Sequence, residues 1–323
     1  MLVDSPMVMV WRRVSDLPSA KSTAEGLLKL TLIGEDEDSL MYDAGSVILG
    51  LWGQHEFREA TKTLSADPED AVATHVAMRA RVINQCSASN FQKMTLAVNP
   101  ATNFSFTTRS IDDLHKLLSV EGGNTRSLMS KGAFGEQLST FDIDGNQFSL
   151  TQASDRPSGA AAGLFGVKLA ALNKARASEA SLVGVSFFAS SLRDSSAFYR
   201  DTLGLRELKG AKGVSAFDLG TTILTIQPEP TLNLVKGLSS SGRLNGDWIV
   251  FHVRDISSTA ESLGKRGVKF PLGIETSVIG KMAYFQDPSG HSLVIWQPPL
   301  DQALGMKKIN FYPVLNRILA KVA

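Results

Sequence analysis

Ser196-Ala197-Phe198-Tyr199-Arg200-Asp201-Thr202-Leu203-Gly204-Leu205 and Phe285-Gln286-Asp287-Pro288-Ser289-Gly290-His291-Ser292-Leu293 are the two stretches on which the reading of this chain turns. The first closes a helix predicted over Ser191 to Leu203, with Phe198 and Tyr199 placed to pack on the back of a sheet and Gly204 as the stop. The second is a hairpin, in which Asp287-Pro288-Ser289-Gly290 reverses the chain between two apolar strands.

Working outward from these stretches, alternation with a period of two marks strands at Leu182 to Ala189, Leu205 to Leu208, Val214 to Leu219 and Thr222 to Gln227. With the helix they make a β-α-β-β-β unit. The same order recurs as strand Trp248 to Val253, helix Ile256 to Arg266, and strands Val268 to Phe270, Lys281 to Gln286 and Ser292 to Trp296. The first half carries a fainter copy that lacks the helix aromatics. One unit runs through strand Met7 to Val14, helix Leu17 to Leu28 and strands Ser39 to Asp43 and Ser46 to Trp52. Another runs through strand Phe104 to Thr108, helix Ile111 to Val120 and strands Gly135 to Phe141 and Gln147 to Thr151, around the turn Asp142 to Asn146. The chain thus divides into an N-terminal domain, 1–152, with a polar insertion at 54–92 that reads as helical over Pro68 to Val82; a connector, 153–180; a C-terminal domain, 181–298; and a tail, 299–323.

A chain of 323 residues suits two domains, and 43% hydrophobic with 20% charged residues describes a globular protein. A formal charge of +1 supplies no field for a polyphosphate backbone, so nucleic acid is not an expected partner. The single cysteine, Cys86, excludes a cysteine-rich zinc site and fits a reducing compartment. Met1 to Val10 shows no basic region ahead of an apolar stretch, and a cytoplasmic location is expected. In the tail, Lys307, Lys308, Arg317 and Lys321 alternate with apolar residues, a pattern open to a membrane-surface helix. The interruption at Pro313 favours packing against the body, so membrane contact is not expected.

Taken together and in this order, the two opening stretches resemble the signature segments of the vicinal oxygen chelate superfamily, the glyoxalase, bleomycin-resistance and dioxygenase group. Val14-Ser15-Asp16-Leu17 and Phe141-Asp142-Ile143-Asp144-Gly145-Asn146 carry a weaker likeness in the first half. The resemblance implies an α+β fold of tandem modules, four βαβββ units forming half-open barrels whose concave faces bind a ligand. In metal-dependent members His, Gln or Glu side chains on the first and last strands of each unit point inward, where a divalent cation would polarise substrate oxygens. Aligned on the motifs, those positions hold Gly184 and Thr225, Trp248 and Val294, and in the first half Met9, Gly50, Asn103 and Ser149. That set implies no metal and no other cofactor. The best alternative donors are His252, Gln227 and Glu229, and with them a metal-dependent glyoxalase or extradiol dioxygenase stands as a second alternative function.

By alternation, one concave face in the second domain gathers Gly184, Ser186, Phe188, Thr225, Gln227, Trp248, Val250, His252, Val294 and Trp296. Two tryptophans and a phenylalanine among a few polar groups suit a flat, largely apolar small molecule, with Gly184 leaving room for it. His252 reads either as a general acid or base, which makes a lyase, isomerase or cyclase the alternative function, or as a hydrogen-bonded structural residue. In the first domain Trp11, Arg13 and Trp52 face inward, and Arg13 suits either a ligand carboxylate or a rim Asp or Glu. His291, after the turn glycine, is expected to be exposed, while His55, His75 and His115 suggest no role. The function expected is metal-independent binding of a small-molecule ligand by a monomer or homodimer, akin to bleomycin-resistance sequestration.

Overall fold

The computed structural model describes residues 1–14, 16–35, 39–53, 102–108, 111–112, 128–132, 135–141, 147–153, 180–208, 213–228, 247–277, 280–299 and 311–320. The insertion at 54–92, with its predicted helix Pro68 to Val82, lies outside the described residues, as do the turn Asp142 to Asn146, nearly all of the connector and of the helix Ile111 to Val120, and Glu229.

Four β-α-β-β-β units follow one another in the α+β class expected. The first comprises β1 (Met7–Val14), α1 (Leu17–Ser22) running on into a wider turn at Thr23–Leu27, β2 (Thr31–Glu35), β3 (Ser39–Asp43) and β4 (Ile48–Gly53). The second supplies β5 (Asn103–Thr107), β6 (Leu128–Gly132), β7 (Gly135–Phe141) and β8 (Gln147–Ala153). In the third are β9 (Ser181–Ala189), α2 (Leu192–Ala197) with its wide continuation Phe198–Thr202, β10 (Arg206–Leu208), β11 (Ser215–Asp218) and β12 (Ile223–Pro228). The fourth has β13 (Trp248–His252), α3 (Ile256–Gly264), β14 (Glu275–Ser277), β15 (Gly280–Gln286) and β16 (Ser292–Gln297), and α4 (Phe311–Ala320) follows it.

Three elements depart from the sequence reading. Strand β2 escapes it because a register shift between Leu32 and Gly34 breaks the alternation, and β6 is likewise an additional strand. Val268 to Phe270 is not a strand. Gly267, at φ +91°, ends α3, and the Val268 N–H turns back to the Leu263 carbonyl at 3.1 Å, so Val268 serves as the apolar contact of the helix cap. The strand that fills the place is β14.

Within each unit the first strand pairs in parallel with the last, as β1 does with β4 and β9 with β12. The other edge of the first strand is then open, and an open edge is satisfied only by another strand. Here β1 meets β13 and β5 meets β9, both antiparallel. The result is two open eight-stranded sheets: sheet A in the order β14-β15-β16-β13-β1-β4-β3-β2, and sheet B in the order β10-β11-β12-β9-β5-β8-β7-β6. The sheets therefore do not coincide with the halves of the chain. Units one and four build sheet A, and units two and three build sheet B.

The repeat is visible in its details. Asp16, Ser191 and Asp255 each cap a helix start by accepting from the backbone N–H three residues on. Gln152 and Gln297, at the ends of the last strands of units two and four, accept from the first N–H of their own unit's helix, at Ile111 and Ile256, 41 residues back in both cases. The backs of both sheets and the helices share one apolar core through Val10, Tyr42, Phe104, Phe106, Val185, Phe187, Phe217, Phe251 and Phe285.

Two buried polar groups hold units together across that core. The Asp287 carboxylate accepts from Tyr199 Oη at 3.0 Å, from the backbone N–H of Ser289 at 2.9 Å and His291 at 2.8 Å, and lies 2.8 Å from His291 Nδ1. It thereby ties the α2 end of unit three to the hairpin of unit four. His291 is not exposed: it is 3% accessible and stacks on Phe187 with ring centres 3.8 Å apart. Burial, and then the facing carboxylate, push the Tyr199 hydroxyl well above its ordinary range, so it stays a donor. On the other side Arg12 pairs with Asp247 at 2.9 Å, donates to the Thr102 carbonyl at 3.1 Å and lies 3.9 Å over the Phe104 ring. A cavity of about 50 Å³ beside it, lined by Leu49, Leu51, Phe106 and Phe148, lies among the core side chains on the sheets' backs.

Replacing Tyr199 by Phe removes one donor from a carboxylate that keeps its others, and is expected to cost about 1–2 kcal/mol in urea unfolding. Asp287→Ala leaves buried donors unmet and is expected to cost about 3 kcal/mol or more. In sheet A a methyl group at Gly50 would collide with the Trp11 indole. Gly50→Ala is therefore expected to lower stability by about 1–3 kcal/mol, read as a shift in the urea midpoint.

Candidate functional site

Each sheet turns one face to the common core and the other away from it, and the two outer faces have opposite chemistry. In sheet A, alternation brings Met9 and Trp11 from β1, Ile48 and Trp52 from β4, Trp248 and Val250 from β13, Val294 and Trp296 from β16, and Met282 and Tyr284 from β15 onto one surface. Trp52 and Trp248 lie 4.8 Å apart, and Trp248 meets Tyr284 edge-on at 5.2 Å. Gly50, having no side chain, is the seat of Trp11.

This aromatic cup is filled by the chain's own α4. Phe311, Val314, Leu315 and Ile318 are buried in it, with Phe311 edge-on to Trp296 at 6.0 Å. Arg317 Nη2 donates to Asp43 Oδ1 at 2.6 Å and to the Gly45 carbonyl at 3.3 Å, pinning the helix to the end of β3. The tail thus packs against the body. Four apolar side chains at roughly 2 kcal/mol each contribute about 8 kcal/mol. Fixing ten backbone residues costs about 10 kcal/mol, so α4 sits near the balance point and depends on the aromatic surface it covers.

Sheet B is polar at the corresponding strand positions. Asn103, Ser105, Ser149, Gly184, Ser186, Phe188, Thr225 and Gln227 come together there, and all but Ser186 are half-buried. Asn103 Nδ2 donates to Ser149 Oγ at 3.2 Å, and Ser186 Oγ and Thr225 Oγ1 share a hydrogen bond of 2.6 Å. The Asn103 carbonyl oxygen is buried with no partner. Gly184 does not open space for a ligand: a Cβ there would stand 3.3 Å from that of Ser105, so the glycine admits the neighbouring strand. A small apolar patch of Val183, Leu208, Ala216 and Ile223 flanks the polar centre.

The residues expected in one cavity of the second domain are therefore divided. Trp248, Val294, Trp296 and His252 face sheet A together with Trp11, Arg13 and Trp52, whereas Ser186, Phe188, Thr225 and Gln227 face sheet B. His252 pairs in register with Trp296, and their rings meet edge-on at 6.4 Å. Burial, and secondarily Arg254, lower its pKa and favour the neutral imidazole. This depressed basicity withdraws stability as pH falls below the ordinary histidine range. His252 and Gln227 lie in different sheets, so the alternative donor set His252, Gln227 and Glu229 has no common point. The covering helix is the feature that alternation alone missed, and the run of apolar residues at Phe311, Val314, Leu315 and Ile318 was the available signal for it.

Among the described residues, the aligned positions of neither face offer a ligand set for a divalent cation. In sheet A the positions in question are Met9, Gly50, Trp248 and Val294, with no donor side chain. In sheet B they are Asn103, Ser149, Gly184 and Thr225, neutral groups whose hydroxyls are already engaged. Among the described residues no three His, Cys, Asp or Glu side chains converge. No described helix is long and apolar enough to cross a membrane.

The fold has clear counterparts. Glyoxalase I from Zea mays superposes with a TM-score of 0.54 at 16% identity, over 91% of this chain and 92% of that one. A protein from Bacillus subtilis described as a dioxygenase superposes with a TM-score of 0.55 at 11% identity, over 91% of this chain and 85% of that one. No curated protein matches the chain. The family model of the Glyoxalase/Bleomycin resistance protein/Dioxygenase superfamily matches residues 181–295, which are the third and fourth units, one from each sheet. The chain therefore has the vicinal oxygen chelate fold in four units, and its likeness to the Glyoxalase/Bleomycin resistance protein/Dioxygenase superfamily is carried by residues 181–295.

Proposed function

We propose that the protein binds a small molecule without a metal ion, and that the concave face of sheet B is the binding site. The contrast between the two faces carries this reading. At matched positions the sheet A residues Met9, Trp11, Val294 and Trp296 are 5%, 8%, 1% and 3% accessible, whereas Asn103, Ser105, Thr225 and Gln227 of sheet B remain half-buried. Strand-centre side chains that stay accessible on a curved surface are the ones a ligand can reach.

The lining defines the ligand class. Ser105, Ser149, Ser186 and Thr225 carry hydroxyls that donate or accept as required, and Asn103 and Gln227 carry amides that do both. The ligand is a neutral polar molecule with both donors and acceptors and a flat edge for Phe188. Asn103 is fixed in place on this face by donating to Ser149 Oγ. The reading places the protein in a reducing cytoplasm, in keeping with its single cysteine.

Thermal-shift screening of the full chain against neutral, hydroxylated aromatic compounds, with and without EDTA, tests this. A binder is expected to raise Tm regardless of the chelator, and Thr225→Phe, which puts a ring into the face, is expected to weaken binding at least ten-fold. Binding that appears only after adding Mn, Ni or Zn, or that Thr225→Phe leaves intact, would overturn the proposal.

A further inference from the structure

We infer that α4 is a tethered occupant of the sheet A cup, and that a flat, apolar small molecule exchanges with it. The inference stands apart from the site on sheet B and rests on how the helix is held. Its inner side chains, Phe311, Val314, Leu315 and Ile318, are buried against tryptophan, tyrosine and methionine, while Pro313 and Asn316 on its outer side are exposed. Nothing described packs over that outer side.

A ten-residue helix is too short to persist by itself in water, and Pro313 sits in its first turn, where a missing N–H breaks no helical bond and so adds none of the hold the helix needs. Its polar anchor, Arg317 to Asp43, is partly exposed, at 32% and 13%, and exposed ion pairs hold weakly. The helix is thus held over the aromatic face by four apolar side chains and one partly exposed ion pair.

The surface beneath it constrains how it leaves. Trp11, Trp52, Trp248, Trp296 and Tyr284 form a continuous aromatic face that water solvates poorly. Simple undocking is opposed, whereas replacement by a molecule that covers the same rings is not. Phe311 edge-on to Trp296 shows the geometry such a ligand would reproduce. Occupation of the cup and release of the tail are then one equilibrium, with the ligand's apparent affinity reduced by the fraction of chains whose helix is docked.

The test uses N-phenyl-1-naphthylamine, a neutral fluorescent aromatic, titrated into the full chain and read by energy transfer from tryptophan. Ile318→Asp, which disfavours docking without altering the cup, is expected to bind the probe about ten-fold more tightly than wild type, and Thr225→Phe is expected to bind it as wild type does. In the unaltered protein, saturating probe is expected to speed hydrogen exchange at the amides of residues 314–320, a reading that needs no variant to fold. Equal affinity of wild type and a folded Ile318→Asp chain would overturn the inference. So would loss of binding in Thr225→Phe, which would place the probe on sheet B, or unchanged exchange of α4 at saturation.

Discussion

A β-α-β-β-β unit that pairs its first strand with its last leaves the other edge of that first strand without hydrogen-bond partners. Everything larger in this protein follows from closing that edge. Two units joined through their first strands satisfy both open edges at once and produce a continuous curved sheet with its concave side free. Four units yield two such sheets. Pairing one with four and two with three also brings the backs of the sheets together, so that Phe104, Phe187 and Phe251 share a core. The Asp287 carboxylate, reaching from the unit-four hairpin to Tyr199 of unit three, fastens sheet A to sheet B across it.

The unit-by-unit pattern was legible in the sequence because alternation and helix caps are local. Gly204 and the Asp287 to Gly290 turn mark a helix stop and a chain reversal, each within a few residues, and the caps at Asp16, Ser191 and Asp255 are equally local. Which unit meets which was not legible, since an open edge looks the same whatever strand will cover it. The consequence for the site was large: Trp248 and Ser186, neighbours in one predicted cavity, belong to opposite sheets. His291 illustrates the same limit at smaller scale. A histidine after a turn glycine reads as exposed, and only the distant Phe187 ring and the Asp287 carboxylate bury it.

Fold and family leave the chemistry to the side chains on each concave face. Where metal-dependent relatives of the fold present charged or imidazole donors, sheet A presents methionine, glycine, tryptophan and valine, and sheet B presents amides and hydroxyls. The two departures are of different kinds. Hydroxyls and amides on sheet B remain compatible with water, so that face can stay accessible.

Sheet A has no such freedom. Lining a face with four tryptophans and a tyrosine produces a patch that water solvates poorly and that would recruit other chains. Such a face must be covered, and α4 supplies the cover from the same chain. The cover need not be strong, because the alternative to it is an exposed aromatic surface rather than a hydrated pocket. The character of the cup thus accounts for the presence of the helix, and the modest anchoring of the helix, through one ion pair and four side chains, follows from how much the cup gains by being covered.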